Sequence, residues 1–250
     1  MSGHSHWARI KHKKGTTDVK RGKLFSKLAK HIISAARHGG GDPEQNLRLK
    51  YAIEKARENL LPRDTIERAI QRGTGTLEGA AAIEEILYEG YGPGGVALLL
   101  EIMTDNKMRT APEIRRLLES HGGSLGVAGC VAWNFEKRGV LDIARTAAPE
   151  DLLLERALEA GALDLRPSGD TTQVLTDPQE FLHVREALLK ARIPALSAEI
   201  LFLPKTTVAV DDRTAKQILG LIEALEDHDD VQAVHTNAEF SEALMTEADA

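Results

Sequence analysis

Between residues 18 and 37, Leu24, Phe25, Leu28, Ala29, Ile32, Ile33 and Ala36 recur at steps of three and four, the period that lays one apolar stripe along an α-helix. Lys20, Lys23, Lys27 and Lys30 fall on the other side. Gly22, in the helix interior, costs about 1 kcal/mol relative to Ala, a cost offset only if a backbone or ligand approaches closely there. "GGGDPEQN" then stops this helix and starts the next, with Asp42 as N-cap, Pro43 at the first helical position and Gln45 at the capping-box position. The second helix is expected to run to about Asn59 with Leu49, Ala52, Ile53, Ala56 and Leu60 inward. A third begins at Pro62, passes through Ile66, Ala69 and Ile70, and closes at Gly73.

After the Gly-rich "GTGTLEGAAA" the pattern changes to short apolar runs and turns. "AIEEILYEGYGPGGVALLLEIMT" predicts two strands joined by a glycine and proline turn. "TAPEIRRLLESHGG" predicts a helix with Thr110 and Glu113 as a capping box, Ile114, Leu117 and Leu118 inward, and Gly122 as terminator. Two strands follow in "VAWNFEKRGVLDI". The order β, β, α, β, β points to an α+β layer, not a doubly wound parallel sheet. From Pro149 a helix, short strands near "ALDL" and "TQVLT", a helix "PQEFLHVREALLKA" and a strand "AEILFLP" can close a second α+β unit. The strand, helix and strand that remain are too few to bury a core alone and are expected to return to the first sheet. The fold class expected is therefore α+β multidomain, an N-terminal three-helix domain followed by two α+β domains, one of them discontinuous. The boundaries are a basic arm and helical domain over 1–80, a discontinuous domain over 81–145 with 205–240, an inserted domain over 146–204, and a polar tail over 241–250.

Composition adds limits, and charge adds direction. At 250 residues and 42% hydrophobic content the chain suits more than one compact domain. The lone Cys130 excludes an intramolecular disulfide framework and any Cys-rich zinc site. "GVALLLEIM", the longest apolar run, is short and carries Glu101, so it cannot span a bilayer. The formal charge of −6 conceals a separation. Residues 1–38 hold ten Lys or Arg against one acid, plus 9; residues 39–80 balance at seven each; residues 81–250 hold 15 against 30, minus 15. Such asymmetry suggests an anionic partner at one end, either nucleic acid or an acidic membrane surface. A merely solvated face mixes signs, which this end does not. Two neighbouring amphipathic helices can cover the stripe that an interfacial helix would lay in lipid, so nucleic acid is the expected partner and no membrane is.

His4, His6 and His12 invite a metal, but Arg9, Lys11, Lys13 and Lys14 would repel a cation, and no thiol and no carboxylate except Asp18 stands nearby. His4, His6, Arg9 and His12 read better as donors to phosphates, with Trp7 available to stack on a base or to pack locally. The glycines of "GYGPGG" separate two strands and lack Walker spacing, so they read as a turn; "MTDN" at 103–106 reads as a turn after a strand. Cys130 reads as a buried small residue, and Glu84, Glu85 and Glu101 form no evident acid and base pair. No catalytic residue, metal or cofactor is expected.

"GHSHWARIKHKKGTTDVKRGKLFSKL", "GGGDPEQNLRLKYAIEKARENLLPRDTIERAIQRGTG", "YEGYGPGGVALLLEIMTDNKMRTAPEIR" and "HGGSLG" with "VAWNFEKRGV" together resemble the YebC/PmpR family over nearly the whole chain. The resemblance implies a three-domain α/β protein with an N-terminal helical domain, a transcriptional regulator that binds DNA. It also implies an alternative, since relatives that include a mitochondrial one act in translation at the ribosome. Family-like sequence begins by Gly3, so a bacterial-type cytoplasmic protein is expected rather than one with a transit peptide. Many relatives carry serine where this chain has Cys130, which speaks against a thiol function. The expectation is a non-enzymatic, cytoplasmic regulator whose target is DNA, or ribosomal RNA in the alternative. The residues expected to contact nucleic acid are His4, His6, Trp7, Arg9, Lys11, His12, Lys13, Lys14, Lys20, Arg21, Lys23, Lys27 and Lys30, with the acidic α+β domains left to meet a protein partner.

Overall fold

The computed structural model describes residues 18–77 and 82–241. It opens with α1 (Asp18–Gly39), α2 (Leu47–Glu58) and α3 (Arg63–Gly73). Leu28, Ile32, Ile33 and Ala36 of α1 pack with Leu49, Ala52, Ile53 and Ala56 of α2 and with Ile66 and Ala69 of α3. Each fully buried Leu or Ile contributes about 1.5–3 kcal/mol, so this stripe holds the helical unit. The expected helix start at Asp42 is displaced. Asp42 instead makes a turn, accepting from the Glu44 N–H at 3.0 Å, and Asn46 caps α2. Asn46 serves two helix ends at once: Oδ1 accepts from the Leu49 N–H at 3.0 Å while Nδ2 donates to the carbonyls of Ala35 and Gly40, both at 2.9 Å. Leu60, expected inward, is 72% exposed, because its left-handed backbone at φ 60° turns the chain and gives the buried place to Leu61.

Then come β1 (Glu84–Tyr91), β2 (Ala97–Thr104), α4 (Lys107–Ser120), β3 (Ser124–Leu125), β4 (Phe135–Ala144), α5 (Glu150–Glu159), β5 (Asp164–Ser168) and β6 (Thr171–Thr176). The chain continues through α6 (Phe181–Lys190), β7 (Ser197–Pro204), β8 (Val208–Ala209), α7 (Asp212–Glu226), β9 (Val231–Thr236) and β10 (Ala238–Glu239). One sheet has the order β3-β1-β2-β9 and another the order β5-β6-β4-β7. β1 and β2 form the expected hairpin, with Glu84 opposite Thr104 and Tyr91 opposite Ala97. Gly94 and Gly95 turn it at φ 73° and 74°, a region that side chains avoid. The first sheet buries Leu98, Leu100 and Ile102 under Ile114 and Leu118 of α4 and Ile218, Leu221 and Ile222 of α7. The second buries Leu141, Ile143 and Val174 under Leu153 and Ala157 of α5 and Phe181, Val184 and Leu188 of α6.

Residues 135–144, expected in the first sheet as part of two strands, belong to the second sheet as one strand. β4 is paired along both edges, antiparallel to β6 and to β7, and only a short helical turn, Ala132–Asn134, precedes it. β8 does not return to the first sheet either; it pairs in parallel with β10, and β9 alone completes that sheet beside β2. α4 starts before the expected Thr110 because the Asn106 side chain caps it, accepting from the Arg109 N–H at 3.1 Å.

The loop between β3 and β4 is held by Glu89 of β1. This buried carboxylate accepts from the N–H groups of Gly129, Val131 and Ala132 at 2.6, 2.7 and 2.7 Å. Burial pulls its pKa upward, but the three donors outweigh burial and hold it below the usual carboxylate range. The loop displays Val127 and Trp133 to solvent, with the Trp133 indole N–H donating to the Cys130 carbonyl at 3.0 Å. Cys130, expected buried, is half-buried there.

Candidate nucleic-acid interface

Steps of three and four place Lys20, Lys23, Lys27 and Lys30 in one row along α1. That row does not stand free. It lies along the C-terminal end of α7, whose last turn contains no basic residue and whose continuation is Asp227, His228, Asp229 and Asp230. A helix C-terminus exposes unpaired carbonyls and a partial negative charge, so acids there need cations from elsewhere. α1 supplies them. Lys23 Nζ donates to the Asp227 carbonyl at 2.9 Å and pairs with its carboxylate at 3.0 Å. Lys27 Nζ donates to the Glu226 carbonyl. Lys30 Nζ reaches the Asp230 carboxylate at 2.7 Å, the Asp229 carbonyl at 3.0 Å and the Met103 carbonyl at 3.3 Å. Lys20 is only 4.0 Å from Glu223, with both side chains largely exposed.

Asp230 is the centre of this contact. Besides Lys30, its carboxylate meets Arg109 Nη2 at 2.7 Å, Thr110 Oγ1 at 2.8 Å and Thr104 Oγ1 at 3.1 Å. Burial pushes its pKa up, yet the donors Lys30, Arg109 and Thr110 hold it far below the ordinary aspartate value. The "MTDN" stretch thereby acquires a structural role. The Thr104 hydroxyl accepts from the Asn106 N–H at 3.0 Å, Asn106 caps α4, and exposed Asp105 pairs with Arg109 at 3.2 Å. A cleft of about 700 Å³ runs beside the contact, lined by Lys23, Lys30, Arg72, Arg109, Glu113 and Asp229 among others.

A second junction ties the helices to both sheets. Glu85 of β1 binds Ser34 of α1 and Arg48 of α2. Lys55 of α2 meets Glu199 of β7 at 2.8 Å, and the Tyr51 hydroxyl accepts from the Ile200 N–H at 3.2 Å. Burial alone would lower the Lys55 pKa, but Glu199 raises it above the usual lysine value. Beside it, Glu101 of β2 accepts from His235 of β9 at 2.7 Å and lies 3.7 Å from Lys137 of β4. Burial pulls Glu101 upward, and His235 and Lys137 overcome it, bringing its pKa down to about 2. The carboxylates unpaired in the sequence are thus ion-pair partners across the junction.

Of the residues expected to contact nucleic acid, His4, His6, Trp7, Arg9, Lys11, His12, Lys13 and Lys14 lie outside the described residues. Lys20 and Arg21 are exposed, the Arg21 guanidinium resting 5.4 Å from the Phe25 ring centre. Lys23, Lys27 and Lys30 differ from an open phosphate-facing row, since each already donates to α7 or the acids that follow it. Asp227 and Asp230 were not singled out by sequence reasoning. The signal was present: "EALEDHDD" ends a helix with acids and no Lys or Arg, an arrangement that is unfavourable until a cation is brought to it. Among the described residues no group of three or more His, Cys, Asp or Glu is placed to hold a metal ion, and no helix is long and apolar enough to cross a membrane.

Two family descriptions match the chain: "TACO1/YebC protein N-terminal domain" over residues 5–76, and "TACO1/YebC second and third domain" over residues 83–238. A relative from Halothermothrix orenii is 53% identical over 250 residues, covering 99% of this chain and 98% of its own. One from Dictyoglomus turgidum is 52% identical over 246 residues, covering 98% of each. Both carry the name probable transcriptional regulatory protein. Among solved structures, that of a conserved hypothetical protein from Aquifex aeolicus superimposes with a TM-score of 0.83 at 46% identity, covering 95% of this chain and 98% of the other.

Proposed function

The chain belongs to the TACO1/YebC family, and from that premise we propose that it is a non-enzymatic, cytoplasmic regulator of gene expression that binds nucleic acid through its N-terminal unit, with duplex DNA as the target. The observation that carries this reading is the separation of plus 9 on residues 1–38 from minus 15 on residues 81–250. A polyanion is drawn to one end and repelled by the rest. The names of the relatives support regulation of transcription. In this reading Arg9, Lys11, Lys13, Lys14, Lys20 and Arg21 contact phosphates, joined by His4, His6 and His12 as donors and by Trp7. The acid-rich remainder is left to meet a protein partner.

Ribosomal RNA is the second reading. It is favoured by the character of the exposed basic groups on α1: Lys20 and Arg21 stand without a neighbouring Asn or Gln, and such a set suits the backbone of either polymer rather than base edges. Binding of duplex DNA and of ribosomes under matched salt separates the two. Duplex binding that depends on sequence and is lost in Lys13→Glu with Lys14→Glu supports the first. Co-sedimentation with ribosomes in the absence of such duplex binding transfers the function to RNA.

A further inference from the structure

Three lysines of α1 face the chain's own acids, and the groups they meet resemble in kind what a nucleic-acid backbone offers. The end of α7 and the residues after it present two carboxylates, Asp227 and Asp230, and three carbonyl oxygens, those of Glu226, Asp227 and Asp229, to Lys23, Lys27 and Lys30. We propose that this contact is an autoinhibitory latch: the acidic end of α7 occupies the outer lysines of α1 as an internal substitute for phosphate, and a nucleic-acid backbone must displace it to use them. The inference rests on the nucleic-acid reading above and adds its regulation.

The contacts are graded along α1. Lys30 has three oxygen acceptors around its ammonium group, and its pair with Asp230 is shielded, with side chains 20% and 5% exposed. Three N–H donors are all that a lysine has, so Lys30 is saturated, and Asp230 is further held by Arg109 and Thr110. This end is the pivot. Lys23 and Asp227 are 34% and 60% exposed, and an ion pair so open to water is weak and screened by salt. Lys23 is therefore the part that exchanges most readily, with Lys27 between it and the pivot. Binding through a state that is only partly populated weakens apparent affinity by the populated fraction, so loosening the acidic side strengthens capture of phosphate.

Two measurements on the full chain test this. Asp227→Asn should tighten duplex DNA binding by about two- to fivefold, the range of a half-exposed ion pair. Glu186→Gln, which removes one acid from an exposed pair with Lys190 far along the chain, controls for the change in net charge and should tighten it far less. A carbodiimide, which joins a lysine and a carboxylate in contact as an amide with loss of water, should link Lys23 to Asp227 in the free protein, and saturating duplex should lower that yield. Equal effects of the two substitutions overturn the latch. So does an unchanged crosslink yield in protein whose duplex binding still depends on Lys13 and Lys14, which leaves the nucleic-acid reading intact. A wild-type chain that binds neither duplex nor ribosomes overturns both together.

Discussion

Glu89 shows how much one buried acid can organise. Its two carboxylate oxygens take three backbone N–H groups of the loop that carries Trp133, and hydrogen bonds to a charged group contribute about 1.5–3 kcal/mol each. Glu89→Gln replaces one acceptor with a donor facing those N–H groups. It should cost about 2 kcal/mol or more of stability in urea unfolding and shift Trp133 emission as its surroundings loosen. His31 and Glu101 make a second prediction, about acid. Burial, with Lys55 and Arg48 nearby, lowers the His31 pKa from 6.5 to about 4 despite Glu101 and Glu85. The unfolded chain therefore takes up this proton first, and stability falls as pH drops from 6.5 to about 4, by about 3 kcal/mol in all. Glu101, lowered from 4.5 to about 2, contributes stability that is present above 4.5 and lost as pH falls through 2. Both signs agree, so acid should begin to weaken the fold near pH 6.5. In His31→Gln the first loss should vanish and the onset move below pH 4.5, read from urea midpoints across pH.

Elements were legible where the signal is local. The apolar stripes of α1, α2 and α3 and the glycine turn between β1 and β2 follow from neighbours in the sequence. The place of β4 does not, because "FEKRGVLDIA" specifies a strand and its faces but not which strands flank it. β6 and β7 lie after it in the chain, and only their pairing along both of its edges puts it in the second sheet. The choice of Asn46 over Asp42 as cap was hidden for a like reason, since it depends on α1 carbonyls that only the folded chain brings near. Two helical glycines separate these cases experimentally. Nothing among the described residues lies within 4 Å of a Cβ built on Gly22, which leaves room for a methyl group, and Gly22→Ala should stabilise the protein by about 0.5–1 kcal/mol. A Cβ on Gly73 would meet the Ile33 carbonyl oxygen at 2.4 Å and the Ala36 Cβ at 2.6 Å, where α3 ends against α1. Gly73→Ala should cost about 1–3 kcal/mol as overpacking, with thermal unfolding as the readout for both.

At the scale of the whole molecule, the sequence shows charge separation but not which lysines remain available for an external anion. A row of lysines reads the same whether it faces water, phosphate or the acids of its own chain, and here the acids lie about two hundred residues away. The candidate site thus divides into a basic segment at residues 1–17 with no acid among Arg9, Lys11, Lys13 and Lys14, and an α1 row in which Lys23, Lys27 and Lys30 are already engaged. Salt dependence distinguishes their roles, because each phosphate neutralised on a DNA duplex adds about 0.9 to the slope of log affinity against log salt. If Lys13 and Lys14 each neutralise a phosphate, Lys13→Gln with Lys14→Gln should make that slope shallower by about 2. Asp227→Asn acts differently: Lys23 reaches phosphate in both proteins once the latch is displaced, so affinity should rise with little change of slope. Uniform electrostatic attraction to the N-terminal end predicts instead that Asp227→Asn raises affinity no more than Glu186→Gln does.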